Sequence, residues 1–337
     1  MTTLIKTKSE AASELSDLSV SVSPHVKSGE SVEKIMWTVV ACLLPPLILS
    51  VMIFGLRSLL ITMIGVGSCV TTEAVSQRLL RKPVRIRDGS AVITGMLLAY
   101  VIPPGVPLWM PIPGAFMAIF VTKILMGGIG FNIFNPALIG RAFLMAGYPV
   151  AMTSAWVFPS RVDAISTATP LYVMKHYGIS GLVEKFGPLS SIRHDFFLGI
   201  QPGCIGETSA LLILAGGLFL LFKGYVTWHI PVSVLGSIGF FTWVFGGEAM
   251  FSGPPLLAIL SGGAMLGAFF MATDYVTSPN NRTGKIIFGV GIGALTVLIR
   301  LRGGYPEGVC YAVLLMNPLT PTLDRWFKPK RFGTRVS

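Results

Sequence analysis

Apolar stretches long enough to cross a bilayer recur along this 337-residue chain from Ile35 to Thr320, and they limit its fold more than any other feature. A helix needs about 17–25 apolar residues to span roughly 30 Å of hydrocarbon. Backbone in lipid must also satisfy its own N–H and C=O groups, which leaves helices or closed barrels. Ten runs reach or approach that length: 35–54, 58–77, 90–104, 108–126, 135–152, 207–222, 229–245, 255–273, 285–299 and 305–319. The third, fifth and tenth are short or broken by proline and glycine. A composition of 52% hydrophobic and 12% charged residues with 38 glycines is that of a membrane bundle. The expected class is an all-α polytopic membrane protein of about ten transmembrane helices.

The divisions follow from the same pattern. A polar leader, 1–34, precedes a first five-helix half, 35–152. A polar segment, 153–203, separates it from a second half, 204–320, and a basic tail, 321–337, closes the chain. The leader is rich in Ser, Glu and Lys, and the run after it is too long for a signal-peptide h-region, so it is expected to remain.

Cytoplasmic loops carry an excess of Lys and Arg. With the N-terminus inside, eighteen of the 26 basic residues fall on the cytoplasmic side, including Arg78, Arg81, Lys82, Arg85 and Arg87. The other side keeps only Arg57, Arg161, Lys175, Lys185, Arg193, Arg300 and Arg302. Both termini are then cytoplasmic, and 153–203 faces outward, with Cys204 at its end as a reporter for thiol labelling where it is accessible. The net charge of +11 is topological. Nucleic-acid binding is excluded, because the basic residues sit in short loops without interleaved aromatics.

Cys42, Cys69, Cys204 and Cys310 show no C-x-x-C spacing, so the chain by itself offers no iron–sulfur or zinc site. Haem between helices needs axial ligands on spans, yet His25, His176 and His194 lie outside them and His229 only begins one. The two halves faintly repeat: Ser90 and Ser209, Gly105 and Gly224, and Trp109 and Trp228 share one offset. Five spans per half would make the repeat inverted, an arrangement that encloses a site near the midplane in other membrane proteins.

Three segments carry candidate chemistry. In Gly127–Phe143, Asn135 is placed to cap a helix with Pro136 at its first position, and Arg141 lies one to two turns on. An arginine there either pairs with an anionic cofactor or carboxylate, or snorkels to the interface. In Asp163-Ala-Ile-Ser166-Thr-Ala168-Thr169-Pro170, hydroxyls follow an acid. Without a nearby His or Lys they make no hydrolase nucleophile, but they can accept a modification or simply form a turn. In the third, Asp274, Thr277 and Asn280 either contact a polar ligand or cap a helix end. Glu73, Glu207 and Glu248 lie at or near span ends, and Glu73, the deepest of them, is a candidate for ion handling.

Together these segments resemble the family that joins the D component of the Rnf electron-transport complex and the B component of the sodium-pumping NADH:quinone reductase, over essentially the whole chain after the leader. The short leader and the Ser-Thr-Ala-Thr before Pro170 look more like the Rnf version. The resemblance implies FMN attached through its phosphate to Thr169, with Asp163, Ser166 and Ala168 as recognition motif. Arg141, Asn135, Asp274 and Thr277 are further cofactor-binding candidates from their own chemistry, and the resemblance implies a second, riboflavin-like flavin between the halves. No catalytic residue of its own and no metal are expected. The implied function is electron transfer within a complex coupling ferredoxin–NAD chemistry to Na+ or H+ movement, beside a second covalent-flavin subunit. A quinone-reductase subunit or an inverted-repeat channel or transporter are the competing readings.

Overall fold

Among the described residues three helices are long and apolar enough to cross a membrane outright: α1 (Val32–Phe54), α2 (Leu56–Leu79) and α13 (Arg282–Arg302), with mean hydropathies of 2.2, 1.5 and 1.8. The computed structural model describes residues 29–157, 169–199, 202–247, 249–305 and 307–328. Among these residues it is helical without strands. Ser31 starts α1 by accepting the Lys34 N–H at 3.1 Å, and Gly55, at φ 80°, turns the chain into α2. Pro45 and Pro46 lie within α1, and beside them the Tyr100 hydroxyl donates to the Leu43 carbonyl.

The remaining apolar helices are shorter, and what breaks them positions the sites. Helix α3 (Ser90–Tyr100) has 11 residues, about 17 Å of rise, and cannot cross alone. Helix α4 (Pro111–Phe116) runs into a π-helical segment, Met117–Ile124. Helix α5 (Pro136–Gly147) stops at Tyr148, so the expected span 135–152 divides there into α5 and α6 (Pro149–Ser154). In the second half come α9 (Ala210–Phe222) and α10 (His229–Phe245). Helix α11 (Pro255–Leu260) is then broken at Ser261–Gly263 from α12 (Ala264–Leu266), which itself becomes a π-helix, Gly267–Met271. The tenth run becomes α14 (Val309–Met316) and a 3-10 turn, and α15 (Thr320–Trp326) follows where the sequence indicates the basic tail.

Irregular backbone is tolerated at membrane depth only where protein covers it, and that is where it lies. Val101, Ile102 and Val106 after α3 are buried, as are Cys204, Ile205 and Thr208 before α9. The two breaks touch, the Ile205 N–H donating to the Ile102 carbonyl at 3.2 Å. Close packing here needs small residues: a Cβ on Gly95 of α3 would lie 2.5 Å from the Val66 Cα of α2.

Segment 153–203, expected as a loop, contains two helices, α7 (Pro170–Phe186) and α8 (Leu189–Leu198). They form a satellite core in which Val173, Leu182, Ile192 and Phe196 pack on Leu257 of α11. Each such side chain contributes about 1.5–3 kcal/mol through burial. Gly178, at φ 67°, kinks α7, and this break in the period hides the helix in the sequence pattern. Gly199, at φ 103°, ends α8 so tightly that a Cβ there would overlap the Thr208 carbonyl oxygen.

Candidate functional site

Thr169 caps the N-terminus of α7, its Oγ1 accepting the Tyr172 N–H at 3.3 Å, with Pro170 supplying the first helical position. It opens on a cavity lined by Arg141, Met145, Met152, Trp156, Tyr172, Gly304, Tyr305 and Glu307. Arg141 and Thr169 are thus brought to one chamber although 28 positions separate them. A helix N-terminus and a buried guanidinium both favour an anion, and Trp156, Tyr172 and Tyr305 offer apolar ring surface. This arrangement has the chemistry to hold a phosphorylated aromatic group. Asp163, Ser166 and Ala168 lie outside the described residues.

Arg141 does not snorkel. It is buried and forms an ion pair with Glu307, 166 positions away. Next to Glu307 stand Cys204 and Glu207, whose potential ligand atoms lie with those of Glu307 within 4.8 Å of one another. The Cys204 Sγ is 4.0 Å from Glu307 Oε1. Cys204 is fully buried, 0% exposed, so it cannot serve as the outward thiol reporter that its place in the sequence suggests. Lys175, further along α7, donates to the carbonyls of Gly303 and Tyr305. Burial lowers its pKa below the ordinary lysine range.

The other candidate residues meet elsewhere. Asn135 caps α5 by accepting the Leu138 N–H at 3.3 Å, with Pro136 following, as its sequence indicates. Its amide also donates at 3.1 Å to the Met271 carbonyl at the end of the second π-helix. Asn135 and Asp274 line one cleft between the two halves, together with Ser90, Thr94, Lys123, Asn132, Tyr225, Phe270 and Tyr275. Thr277 is not on the cleft wall; it holds Asp274, donating to Oδ2 at 3.2 Å, while the Val276 N–H donates to Oδ1 at 3.4 Å. Burial pushes the Asp274 carboxyl above the usual range, against the lowering effect of these hydrogen bonds and one from Asn132. The turn reading describes the hydrogen bonds of this segment, and Asp274 also lines the cleft. Asn281 caps α13, and Asp324 accepts from Asn280 and Asn281.

Sequence reasoning misses two partners. Glu73 is paired at 2.7 Å with Lys123 of the first π-helix, and Glu307 has no local feature that singles it out. Counting loop charges treats Lys123 as one more cation of the cytoplasmic side and gives no sign that it is 4% exposed and paired. Its place in an apolar run is the available signal, since an ionisable residue within a span is a functional candidate by default.

The sequence profile of the NQR2, RnfD, RnfE family matches residues 19–333. The chain belongs to this family. It is 50% identical over 319 residues to the D component of the proton-translocating ferredoxin:NAD(+) oxidoreductase complex of Clostridium ljungdahlii, covering 94% of this chain and 96% of that one. It is 44% identical, with the same coverage, to the D component of the Na(+)-translocating ferredoxin:NAD(+) oxidoreductase complex of Acetobacterium woodii. The D component of the ion-translocating oxidoreductase complex of Stutzerimonas stutzeri is 37% identical, covering 90% of this chain and 92% of its own length. The resemblance carried by the three motifs thus holds over nearly the whole chain.

Proposed function

We propose that the chain is a membrane electron-transfer subunit that carries FMN esterified to Thr169, within a complex coupling ferredoxin–NAD redox chemistry to Na+ or H+ translocation. The observation that carries this reading is Thr169 itself: the last residue of the Asp163-x-x-Ser166-x-Ala168-Thr169 motif caps a helix on a cavity holding Arg141. The phosphate ester sits at the positive end of α7, where one negative charge is stabilised. A flavin supplies one- and two-electron transfer; this chain's residues tether it, set its surroundings and limit water. The test is the mass of the purified intact chain, expected to exceed the sequence mass by FMN less one water on the peptide that contains Thr169. An unmodified mass overturns the reading.

The cleft between the halves is the place for the second, riboflavin-like flavin. Asn132, Asn135, Asp274, Lys123 and Ser90 offer polar contacts, and Phe270 and Tyr275 offer ring surface. Asn135 and Arg141 sit six residues apart at the start of α5, about 9 Å along its axis. A single helix therefore joins the two sites. The wider arrangement is two inverted five-helix halves whose broken helices meet at the centre, with partners that include a second covalent-flavin subunit. Relatives named for protons and for Na+ share this chain at similar identity, so the transported ion is either of the two.

In this reading α7 and α8 face outward, the termini and the basic loop 80–89 face the cytoplasm, and the membrane is the bacterial inner membrane. All four native cysteines are buried, which makes introduced ones legible. Ser180→Cys on exposed α7 is expected to react with a membrane-impermeant maleimide in intact spheroplasts, whereas Lys82→Cys reacts only after lysis. The reverse pattern inverts the topology.

A further inference from the structure

The buried pair of Lys123 and Glu73 is a charge arrangement that the tethering of FMN does not use. Both residues are nearly inaccessible, at 4% and 1% exposure, inside a membrane bundle. A buried ion pair is seldom more stabilising than apolar packing of the same volume, and ionisable groups in spans mark function. The pair also stands in a wall between two hollows. Lys123 and Ser90 line the cleft between the halves, whereas Glu73, Gln77 and Asp88 line a second cavity beneath the basic loop. Lys123 sits on the π-helical segment Met117–Ile124, a local irregularity that accompanies functional sites.

The geometry is specific. The Lys123 ammonium donates to Glu73 Oε1 at 2.7 Å, to Oε2 at 2.8 Å and to Ser90 Oγ at 2.6 Å. Ser90 Oγ in turn donates to Asp88 Oδ1 at 2.8 Å, and Gln77 donates to Glu73 Oε1 at 3.1 Å. Among the described residues the cleft is lined by one other charged side chain, Asp274. Lys123 thus lines the cleft while its ammonium is held by an acid that lines the other cavity.

We propose that Lys123 sets the reduction potential of a flavin bound in the cleft, and that Glu73 is the positioning residue that holds and partly neutralises its ammonium. The role rests on the reading of the cleft as the second flavin site. Reduction adds negative charge to the ring system, and a cation at the wall stabilises the reduced form, which is how proteins tune such a cofactor. Lys123 provides that cation on a flexible stem. Glu73 weakens its effect on the cleft by sharing it, so removing the acid exposes the ligand to the full charge.

Opposite signs for the two partners make the test decisive. In a Thr169→Ala background, where acid-releasable flavin is the only flavin left, the purified protein is poised at its own flavin midpoint and titrated by visible absorbance. Lys123→Met is expected to lower the reduced-to-oxidised ratio at that potential at least tenfold. Glu73→Gln is expected to raise it at least threefold, and Lys123→Arg to hold it within threefold. Shifts of one sign for both partners, or no shift with flavin still bound, overturn the charge role while leaving the cleft assignment intact. No releasable flavin in the Thr169→Ala parent overturns the cleft assignment and this proposal with it. Should Lys123→Met not accumulate, Glu73→Gln and Lys123→Arg decide alone: a ratio that fails to rise in the former, or that moves beyond threefold in the latter, sinks the proposal.

Discussion

Replacing Thr169 with alanine is expected to abolish covalent flavin: fluorescence that migrates with the denatured chain on a gel falls to background. Thr169→Ser, which keeps the hydroxyl, retains part of it. The loss would not come from unfolding. Thr169 caps α7 through one hydrogen bond, from the Tyr172 N–H at 3.3 Å, and removing an N-cap costs about 1 kcal/mol. Pro170 still fixes the first turn, and the satellite core of Val173, Leu182, Ile192 and Phe196 on Leu257 still anchors the helix. The thermal midpoint in detergent should therefore move by only a few degrees while the flavin signal disappears entirely. Fluorescence that persists in Thr169→Ala places the attachment elsewhere and removes the basis for reading this cavity as the FMN chamber. The alanine variant also separates the two proposed sites, because flavin released by acid belongs to the cleft and is expected to remain.

Features set by neighbours in sequence are legible, and features set by distant partners are not. The first two spans and the ninth can be read because an unbroken apolar run of twenty-odd residues has few other fates. Asn135 followed by Pro136 announces a helix start, and α5 begins there for the capping reason given. The burial of Arg141 is half-readable: the cost of a guanidinium in a span demands a partner, but nothing local identifies Glu307. Lys123 fails in a more instructive way. Loop-charge counting treats it as one more cation near a span end, whereas it is buried on the π-helical segment against Glu73, 50 positions back. Cys204 fails similarly, since a polar stretch suggests exposure, yet the break before α9 is packed against the break after α3. The helix α7 is hidden because Gly178 interrupts its period. The repeat rests on the same distinction. Ser209 caps α9 by accepting the Leu212 N–H, whereas Ser90 takes part in the Lys123 network, so equal offsets in sequence do not guarantee equal roles.

Arg141→Met is expected to destabilise the protein by about 3–5 kcal/mol, the usual cost of leaving one member of a buried ion pair without its partner. The asymmetry of the surroundings makes the expectation sharper. Glu307 shares its neighbourhood with Glu207 and Cys204, all three within 4.8 Å through their potential ligand atoms. Removing Arg141 leaves two carboxylates together with their closest cation gone. Removing Glu307 leaves Arg141 with Glu207 still near. Glu307→Gln should accordingly cost less than Arg141→Met, about 1–3 kcal/mol, the penalty of an imperfectly satisfied buried polar group. The double variant Arg141→Met with Glu307→Leu, which removes both charges and restores apolar volume, should cost less than the two single changes combined. Residues in direct contact give coupling energies of about 0.5–3 kcal/mol, and the upper part of that range is expected here. Thermal aggregation midpoints of the parent, the two single variants Arg141→Met and Glu307→Leu, and the double variant in one detergent supply the cycle. Additive effects would mean that the pair is not coupled and that Arg141 serves the Thr169 cavity alone. In that event Arg141→Met would reduce covalent flavin, which the same gels report, and would lower the midpoint equally whether residue 307 is Glu or Leu. A lowered midpoint with flavin retained assigns Arg141 instead to holding α5 against the segment that carries Glu307.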